Sequence, residues 1–252
     1  MSKNCLIVPC FNEAARLRIE PFREFLRQQS EIDILFVNDG SQDGTAEMLA
    51  TLCDSVSGRA RCLNLPKNVG KAEAIRTGVL ELAGQAYQWV GYCDADLATS
   101  LDEMASLLRS CDRQEHHRVV FGSRWSRMGC QIERELVRHW LGRCFATFTS
   151  LVLRLPTYDT QCGAKWFHSS ILEVLFRQPL TSRWLFDVEL FARFRNHFGR
   201  AAALEQILEL PLKSWREVQG SKLRGKDFFI FPVDLVRIQL RYNQKANRNQ
   251  AQ

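Results

Sequence analysis

The first half of the chain alternates short apolar runs with longer amphipathic stretches, and this rhythm limits the possible folds more than any other feature of the sequence. Residues 5–8 read as a buried strand, 14–29 as a helix, and 32–37, rich in Ile, Leu, Phe and Val, as a second strand. A helix follows over 44–52, a short strand over 61–65, a helix over 71–82, a strand over 89–93 and a helix over 101–110. Strands that alternate with helices need crossover connections, so they lie parallel with helices on both faces, and ligands collect where the strands end. The second half predicts a strand over 118–122, a charged and partly helical stretch over 133–143, and an apolar run over 144–155. After Pro156 come a strand-like 163–167, helices around 171–176 and over 186–198, and a strand-like 207–210. The tail over 228–242 carries Pro232 where a helix could start.

A chain of 252 residues, 46% hydrophobic and 25% charged, buries enough surface for one large α/β domain. We assign that domain to residues 1–225 and treat 226–252 as an amphipathic helix with a polar tail. A net charge of +6 suits anionic substrates or an anionic membrane surface. No Lys/Arg block interleaved with aromatics is present, so nucleic acid is not an expected partner. The nine cysteines are scattered without a Cys-x-x-Cys pair, which predicts neither a disulfide framework nor structural zinc and fits a reducing cytosol. No signal peptide is expected at the N-terminus, and the charge-free run over 144–153 is too short to cross a bilayer.

The strand over 89–93 ends in Asp94-Ala95-Asp96. Residues two apart in a strand point to one side, so the two carboxylates can converge where it frays, and hard oxygens suit Mg²⁺ or Mn²⁺. Such an ion takes one or two carboxylates plus substrate phosphates, which implies a phosphate-bearing ligand. Taken alone, the pair reads more readily as an acidic loop with one Asp capping the helix that starts at Leu101. The first strand empties into Pro9-Cys10-Phe11-Asn12-Glu13, and the second into Asn38-Asp39-Gly40-Ser41-Gln42-Asp43-Gly44-Thr45. Asp39 there could accept hydrogen bonds from a base edge, although taken alone the loop reads more readily as a plain β-turn followed by a helix cap. In Asn68-Val69-Gly70-Lys71-Ala72 a glycine beside a lysine at a helix start can meet a phosphate, without the spacing of a phosphate-binding loop. The five histidines show no metal-ligand spacing.

In this order and spacing the four loops resemble those of the family-2 inverting glycosyltransferases. The resemblance implies a GT-A fold: a Rossmann-like, mixed, mainly parallel sheet flanked by helices, here with amphipathic interface helices. Gly122-Ser123-Arg124, the run from Asp159 to Lys165, Trp184-Leu185-Phe186-Asp187-Val188-Glu189 and Gly220-Ser221-Lys222-Leu223 look like the branch that makes polyprenyl-phosphate sugars. It covers roughly residues 4–242. By that resemblance Pro9, Phe11, Glu13 and Asp39 fall at nucleoside-binding positions, and Gly70, Lys71, Asp94 and Ala95 along the rest of the nucleotide sugar. Asp94 and Asp96 match the ligands of a divalent metal that bridges the diphosphate. Arg124, Arg138 and Arg216 fall where donor and acceptor phosphates are held, and Asp187, Glu189 and Lys222 on the acceptor side.

Asp187 and Glu189 also read as a helix cap or a structural ion pair, and Lys165 is equally open. Mannose-transferring relatives commonly add a glutamine two residues after the acidic pair, where this chain has Ala98, so a third protein ligand is in doubt. Asp159-Thr160-Gln161-Cys162-Gly163 with Trp184-Leu185-Phe186-Asp187 looks closer to dolichyl-phosphate glucosyltransferases, which favours UDP-glucose over GDP-mannose. A phosphate acceptor is already a nucleophile and needs alignment rather than a base, whereas a saccharide acceptor would ordinarily want a carboxylate. A silent nucleotide-sugar-binding subunit is a further alternative, against which the intact acidic pair stands. A polyprenyl phosphate lives in a bilayer, so the chain is expected on the cytoplasmic face as a peripheral protein. It would dock through residues 140–155 or through Phe228-Phe229-Ile230-Phe231 with Arg237, Arg241, Lys245 and Arg248. Such a helix would also serve a homodimer or a membrane-protein partner.

Overall fold

The computed structural model describes residues 3–56, 58–111, 116–133, 136–218 and 227–249. The first half alternates as the sequence predicts: β1 (Lys3–Cys10), α1 (Ile19–Gln28), β2 (Ile32–Asn38), α2 (Thr45–Asp54), β3 (Ala60–Asn64), α3 (Lys71–Glu81), β4 (Tyr87–Tyr92) and α4 (Leu101–Cys111). The second half adds β5 (Val119–Ser123), β6 (Gln131–Glu133), α5 (Leu136–Leu153), β7 (Lys165–His168), α6 (Ser169–Phe176), α7 (Phe186–Gln206), β8 (Ile207–Pro211), β9 (Ser214–Arg216) and α8 (Asp227–Asn249). Seven strands form one sheet in the order β3-β2-β1-β4-β7-β5-β8, while β6 and β9 pair separately. Strands β3, β2, β1 and β4 are parallel, and β7 runs antiparallel to both β4 and β5. A mixed, mainly parallel sheet is therefore what the chain builds.

Alternation of side chains along each strand creates two cores. Cys5 and Ile7 of β1 and Leu35 and Val37 of β2 pack with α3, α6, α7 and α8 on one face. Leu6, Val8, Ile34 and Phe36 point the other way, against α1, α2 and α4. Because β5 and β8 run with β4, the motif loops that follow β1, β2, β3, β4 and β5 and the one that enters β7 all lie at the same end of the sheet. The sheet topology alone thus gathers residues far apart in sequence.

Several boundaries differ from expectation for local reasons. The first helix begins at Ile19 rather than at residue 14, because Pro21 fits only a first turn and Glu13 folds the preceding residues into a turn through its carbonyl, which accepts the amides of Arg16 and Leu17. The three-residue strands β6 and β9 carry too short a pattern to be read. Helix α7 extends beyond the expected end at Phe198, with a break at Gly199. Helix α8 starts before Pro232 and continues through it.

The outer helices are held by buried ions. Glu189, fully buried in α7, accepts from the Thr181 amide at 2.7 Å, from Arg193 Nη2 at 2.9 Å and from the Tyr242 hydroxyl at 2.8 Å. It therefore stitches α7, α8 and the preceding loop together. Leu235, Ile238 and Tyr242 of α8 belong to the core on that face, so the C-terminal helix completes the domain. The boundary drawn at 225/226 falls outside the described residues. At the carboxyl end of β5, Arg124 grips Asp159 with two parallel bonds, Nε to Oδ2 at 2.6 Å and Nη2 to Oδ1 at 2.8 Å. Burial alone would raise the Asp159 carboxyl, but the charge and hydrogen bonds of Arg124 outweigh it and hold the group at about 2.

Removing one partner of a buried ion pair strands the other, so Glu189→Ala should lower the unfolding free energy by about 3–5 kcal/mol, measured by urea denaturation. Unchanged stability would show that Glu189 is not the tie described. Because the Asp159 carboxyl is depressed from its ordinary 3.8, its contribution is present above that value and disappears as pH falls towards about 2. Asp159→Asn should remove this acid dependence between about pH 4 and 2 and destabilise the protein at neutral pH, both visible in melting curves recorded across that range.

Candidate active site

The carboxyl end of β4 carries the acidic pair. Leu97 donates its amide to the Asp94 carbonyl at 3.2 Å and adopts a left-handed φ of 55°, a costly conformation that turns the chain sharply after Asp96. Ala95 turns its methyl into the core, where it is 5% exposed, and this leaves the two acids at the surface of the site. Asp94 Oδ1 pairs with Lys71 Nζ at 2.5 Å across the start of α3. Gly163 approaches Asp94 so closely that a Cβ there would lie 2.3 Å from Oδ2, so any larger residue would push the carboxylate aside and glycine lets the 159–163 loop close over it. Asp96 Oδ1 accepts the Ala98 amide at 3.0 Å.

The charges are strongly coupled. Burial, then the neighbouring charge of Asp94, raises the Asp96 carboxyl above its ordinary value. For Lys71 burial opposes the charge, yet Asp94, Asp187 and Asp96 together keep its ammonium more basic than usual. Two adjacent carboxylates, one of them pushed up by burial and by the other's charge, form the hard oxygen donor set that a divalent cation fits. Among the described residues no group of three or more His, Cys, Asp or Glu side chains could hold a metal. Asp94 and Asp96 would hold such an ion, which would supply Lewis acidity to a diphosphate while that ligand and water complete its shell.

Asp39, 2% exposed at the end of β2, clamps the next loop: Oδ1 accepts the Val69 amide at 2.7 Å, and Oδ2 accepts the Gly70 amide at 2.8 Å and Asn68 Nδ2 at 2.9 Å. Pro9 lies in β1 opposite Val37, and the half-buried Phe11 follows that strand. Glu13 receives the guanidinium of Arg16, Nη2 to Oε1 at 2.7 Å, and its amide donates to Thr45 Oγ1 at 2.8 Å. Pro9, Phe11, Glu13, Asp39, Gly70, Lys71, Asp94 and Asp96 therefore share one end of the sheet.

Other expected positions take structural roles. Asp187, expected on the acceptor side or in a structural ion pair, is 3% exposed, pairs with the buried Lys165 at 2.8 Å and accepts from the Tyr92 hydroxyl. Glu189 is likewise consumed by Arg193, Thr181 and Tyr242, because a buried carboxylate needs its partners around it. The fork of Arg124 is occupied by Asp159, which raises that guanidinium further against the opposing effect of burial. Arg138 lies in α5 but its side chain, like the whole of Lys222, is outside the described residues. Arg216 is exposed, and its amide donates to the Ala98 carbonyl at 3.1 Å.

Beside Asp96 opens a cleft of about 680 Å³, lined among others by Arg16, Arg18, Trp215 and Arg216. Sequence reasoning missed Arg16, Arg18 and Trp215. The arginines follow the first motif loop within five residues of Glu13, which is the signal that could have drawn attention to them. Trp215 belongs to a strand too short to anticipate.

Residues 5–176 match the Glycosyl transferase family 2 pattern. A dolichyl-phosphate beta-glucosyltransferase of Trichomonas vaginalis is 32% identical over 92% of this chain and 69% of its own length. The dolichyl-phosphate beta-glucosyltransferase of Saccharomyces cerevisiae is 29% identical over 94% of this chain and 74% of its own. The fold is shared with glucosyl-3-phosphoglycerate synthase from Mycobacterium tuberculosis, crystallised with Mn²⁺, UDP and glucosyl-3-phosphoglycerate, at a TM-score of 0.68 and 16% identity over 96% of this chain and 80% of that one. With the acidic pair, the facing lysine and the preceding loops at one sheet end, and with this match over most of its length, the chain belongs to glycosyl transferase family 2.

Proposed function

We propose that this protein transfers glucose, with inversion, from UDP-glucose to the phosphate of a polyprenyl lipid of the dolichyl type, assisted by Mg²⁺ or Mn²⁺ on Asp94 and Asp96. The observation that carries the acceptor choice is the fate of the two acids nearest the expected acceptor side. Asp187 and Glu189 are both buried and spent on Lys165, Tyr92, Arg193, Thr181 and Tyr242. Neither is placed to take a proton from a sugar hydroxyl, and a lipid phosphate needs no proton removed. The relatives that match along most of the chain act, by their names, on dolichyl phosphate.

In this reading the nucleoside lies over Pro9, Phe11 and Glu13, Asp39 shapes that pocket through the 68–70 turn its carboxylate clamps rather than as a free acceptor for the base, and Lys71 meets the diphosphate beside the acidic pair. The arginine-lined cleft next to Asp96 receives the acceptor phosphate, where the permanently charged guanidinium of Arg216 suits a dianion. Arg124 acts through its pair with Asp159, which fixes the 159–163 loop against Asp94. The acceptor oxygen then attacks the anomeric carbon in line as the diphosphate departs, so the protein contributes alignment and charge.

A lipid acceptor requires contact with a bilayer. Among the described residues no helix is long and apolar enough to cross a membrane. Phe148 and Leu151 of α5 and Val233, Val236 and Leu240 of α8 are nevertheless exposed, with Arg237 and Arg241 alongside, and α5 and α8 meet through Phe145 and Phe231 at 5.6 Å. In α8 these three apolar residues, spaced three and four apart, form one stripe opposite the buried Leu235, Ile238 and Tyr242. This second apolar face supports peripheral binding to a membrane surface, which we assign to the cytoplasmic side.

Incubation of the protein with labelled UDP-glucose, Mg²⁺ or Mn²⁺, and dolichyl or undecaprenyl phosphate should yield a labelled lipid, and Asp96→Asn should abolish its formation. Full activity in that variant would remove the metal from the reading, and label on saccharides alone would overturn the acceptor. In liposome flotation the wild type should rise with anionic vesicles. Val236→Glu with Leu240→Glu should weaken that binding by at least about tenfold, since each substitution replaces exposed apolar area that would enter the membrane interface by a charge. Equal flotation would exclude α8 as the docking face.

A further inference from the structure

The loop between α6 and α7 brings an arginine to the donor end of the site that neither the motifs nor the acidic pair accounts for. Arg183 is exposed, and its guanidinium lies across the Gly70 turn. A Cβ on Gly70, whose φ is 92°, would come within 2.8 Å of Arg183 Nε and 2.9 Å of Nη2. The same Nη2 donates to Asn68 Oδ1 at 3.1 Å, and Asn68 Nδ2 donates to Asp39 Oδ2 at 2.9 Å. A continuous chain of contacts thus runs from the α6–α7 loop to the end of β2. Lys71, the next residue along that turn, pairs with Asp94.

Among the described residues, Arg183 lacks the carboxylate partner that the most firmly held arginines of this molecule have. Arg16, Arg59, Arg124 and Arg193 are neutralised by Glu13, Asp33, Asp159 and Glu189. Among the described residues Arg183 has no carboxylate partner, and its one hydrogen bond goes to a neutral amide. The loop is held at its base, because Ser182 Oγ donates to Asp234 of α8 at 2.6 Å and accepts the Leu185 amide at 2.9 Å, while Thr181 is tied to Glu189. A permanently charged group without a counter-ion, on an anchored loop beside the lysine of the acidic pair, is arranged to receive an anion from outside the chain.

We propose that Arg183 is a donor-positioning residue: it supplies, with Lys71, the second cation for the diphosphate of the nucleotide sugar, and its bond to Asn68 holds the turn that Asp39 clamps. This rests on the donor reading given above. The role is distinct from that of the arginines on the Asp96 side, which face the acceptor cleft.

Titration calorimetry with UDP and Mn²⁺ tests it directly. A charge-assisted bond to an anion is worth enough that Arg183→Ala should weaken UDP binding roughly tenfold. Arg183→Lys should recover part of that loss, since it keeps the charge and loses the fork. In steady-state assays Arg183→Ala should raise the KM for the donor and leave the KM for the lipid phosphate unchanged. The melting temperature should stay that of the wild type, because the side chain is exposed. Wild-type UDP affinity in Arg183→Ala, or an effect confined to the acceptor KM, overturns the inference. A wild-type protein that binds UDP with Mn²⁺ but glucosylates no lipid phosphate would sink the acceptor reading alone, while the calorimetric comparison still decides the role of Arg183.

Discussion

The geometry of the site depends on one buried ion pair, Lys165 with Asp187. Lys165 opens β7, the strand that runs against its neighbours and joins the two parallel parts of the sheet, and Asp187 lies in the first turn of α7, where the helix dipole favours a negative charge. Taking both ions out of water is costly and is offset only where further hydrogen bonds complete them. Here the Tyr92 hydroxyl donates to Asp187 and Lys165 donates to the Cys162 carbonyl. Tyr92 ends β4 two residues before Asp94, and Cys162 precedes the glycine that closes over Asp94. The pair beneath therefore fixes both the turn that carries the acids and the loop that covers them.

Charge is distributed on the same principle throughout. Acids and bases that hold elements together are matched and dry, as in Arg124 with Asp159 and Arg193 with Glu189. The groups left at the sheet end, the two acids of the β4 turn with Lys71 and the arginines around them, stay partly in contact with solvent. Partial exposure is what lets them exchange a protein partner for a ligand, since a fully buried pair could not be opened without stranding a charge. Structural and ligand-facing ions are thus separated by burial rather than by residue type.

That separation also explains what could be read from the sequence. The β-α alternation, the strand cores and the acidic pair at a strand end rest on local periodicity, and each appears within a few residues of its expected place. The reversed direction of β7 was not legible, because a four-residue strand carries no sign of its orientation and its partners lie more than forty residues away in β5 and β4. Asp187 and Glu189 sit two apart in a run that could face ligand or core, and only the arrival of Lys165, Arg193 and Tyr242 decides between them. Arg183 owes its position to Asn68 and Gly70, more than a hundred residues earlier, so no window of sequence reveals it.

The scattered cysteines have a chemical consequence as well. Cys10, Cys93 and Cys162 are buried in strands and loops that build the sheet end, and Cys5 near the start of β1, where they serve as small apolar side chains. Burial pushes the thiols of Cys5 and Cys162 up to about 12 and raises that of Cys93 further, so none of these three carries appreciable thiolate near neutral pH. Thiolate is the form that oxidants and electrophiles attack. Cys93 and Cys162 beneath the catalytic end, like Cys5 at the far end of the sheet, are therefore chemically silent, and oxidative stress reaches this fold first through its less enclosed thiols.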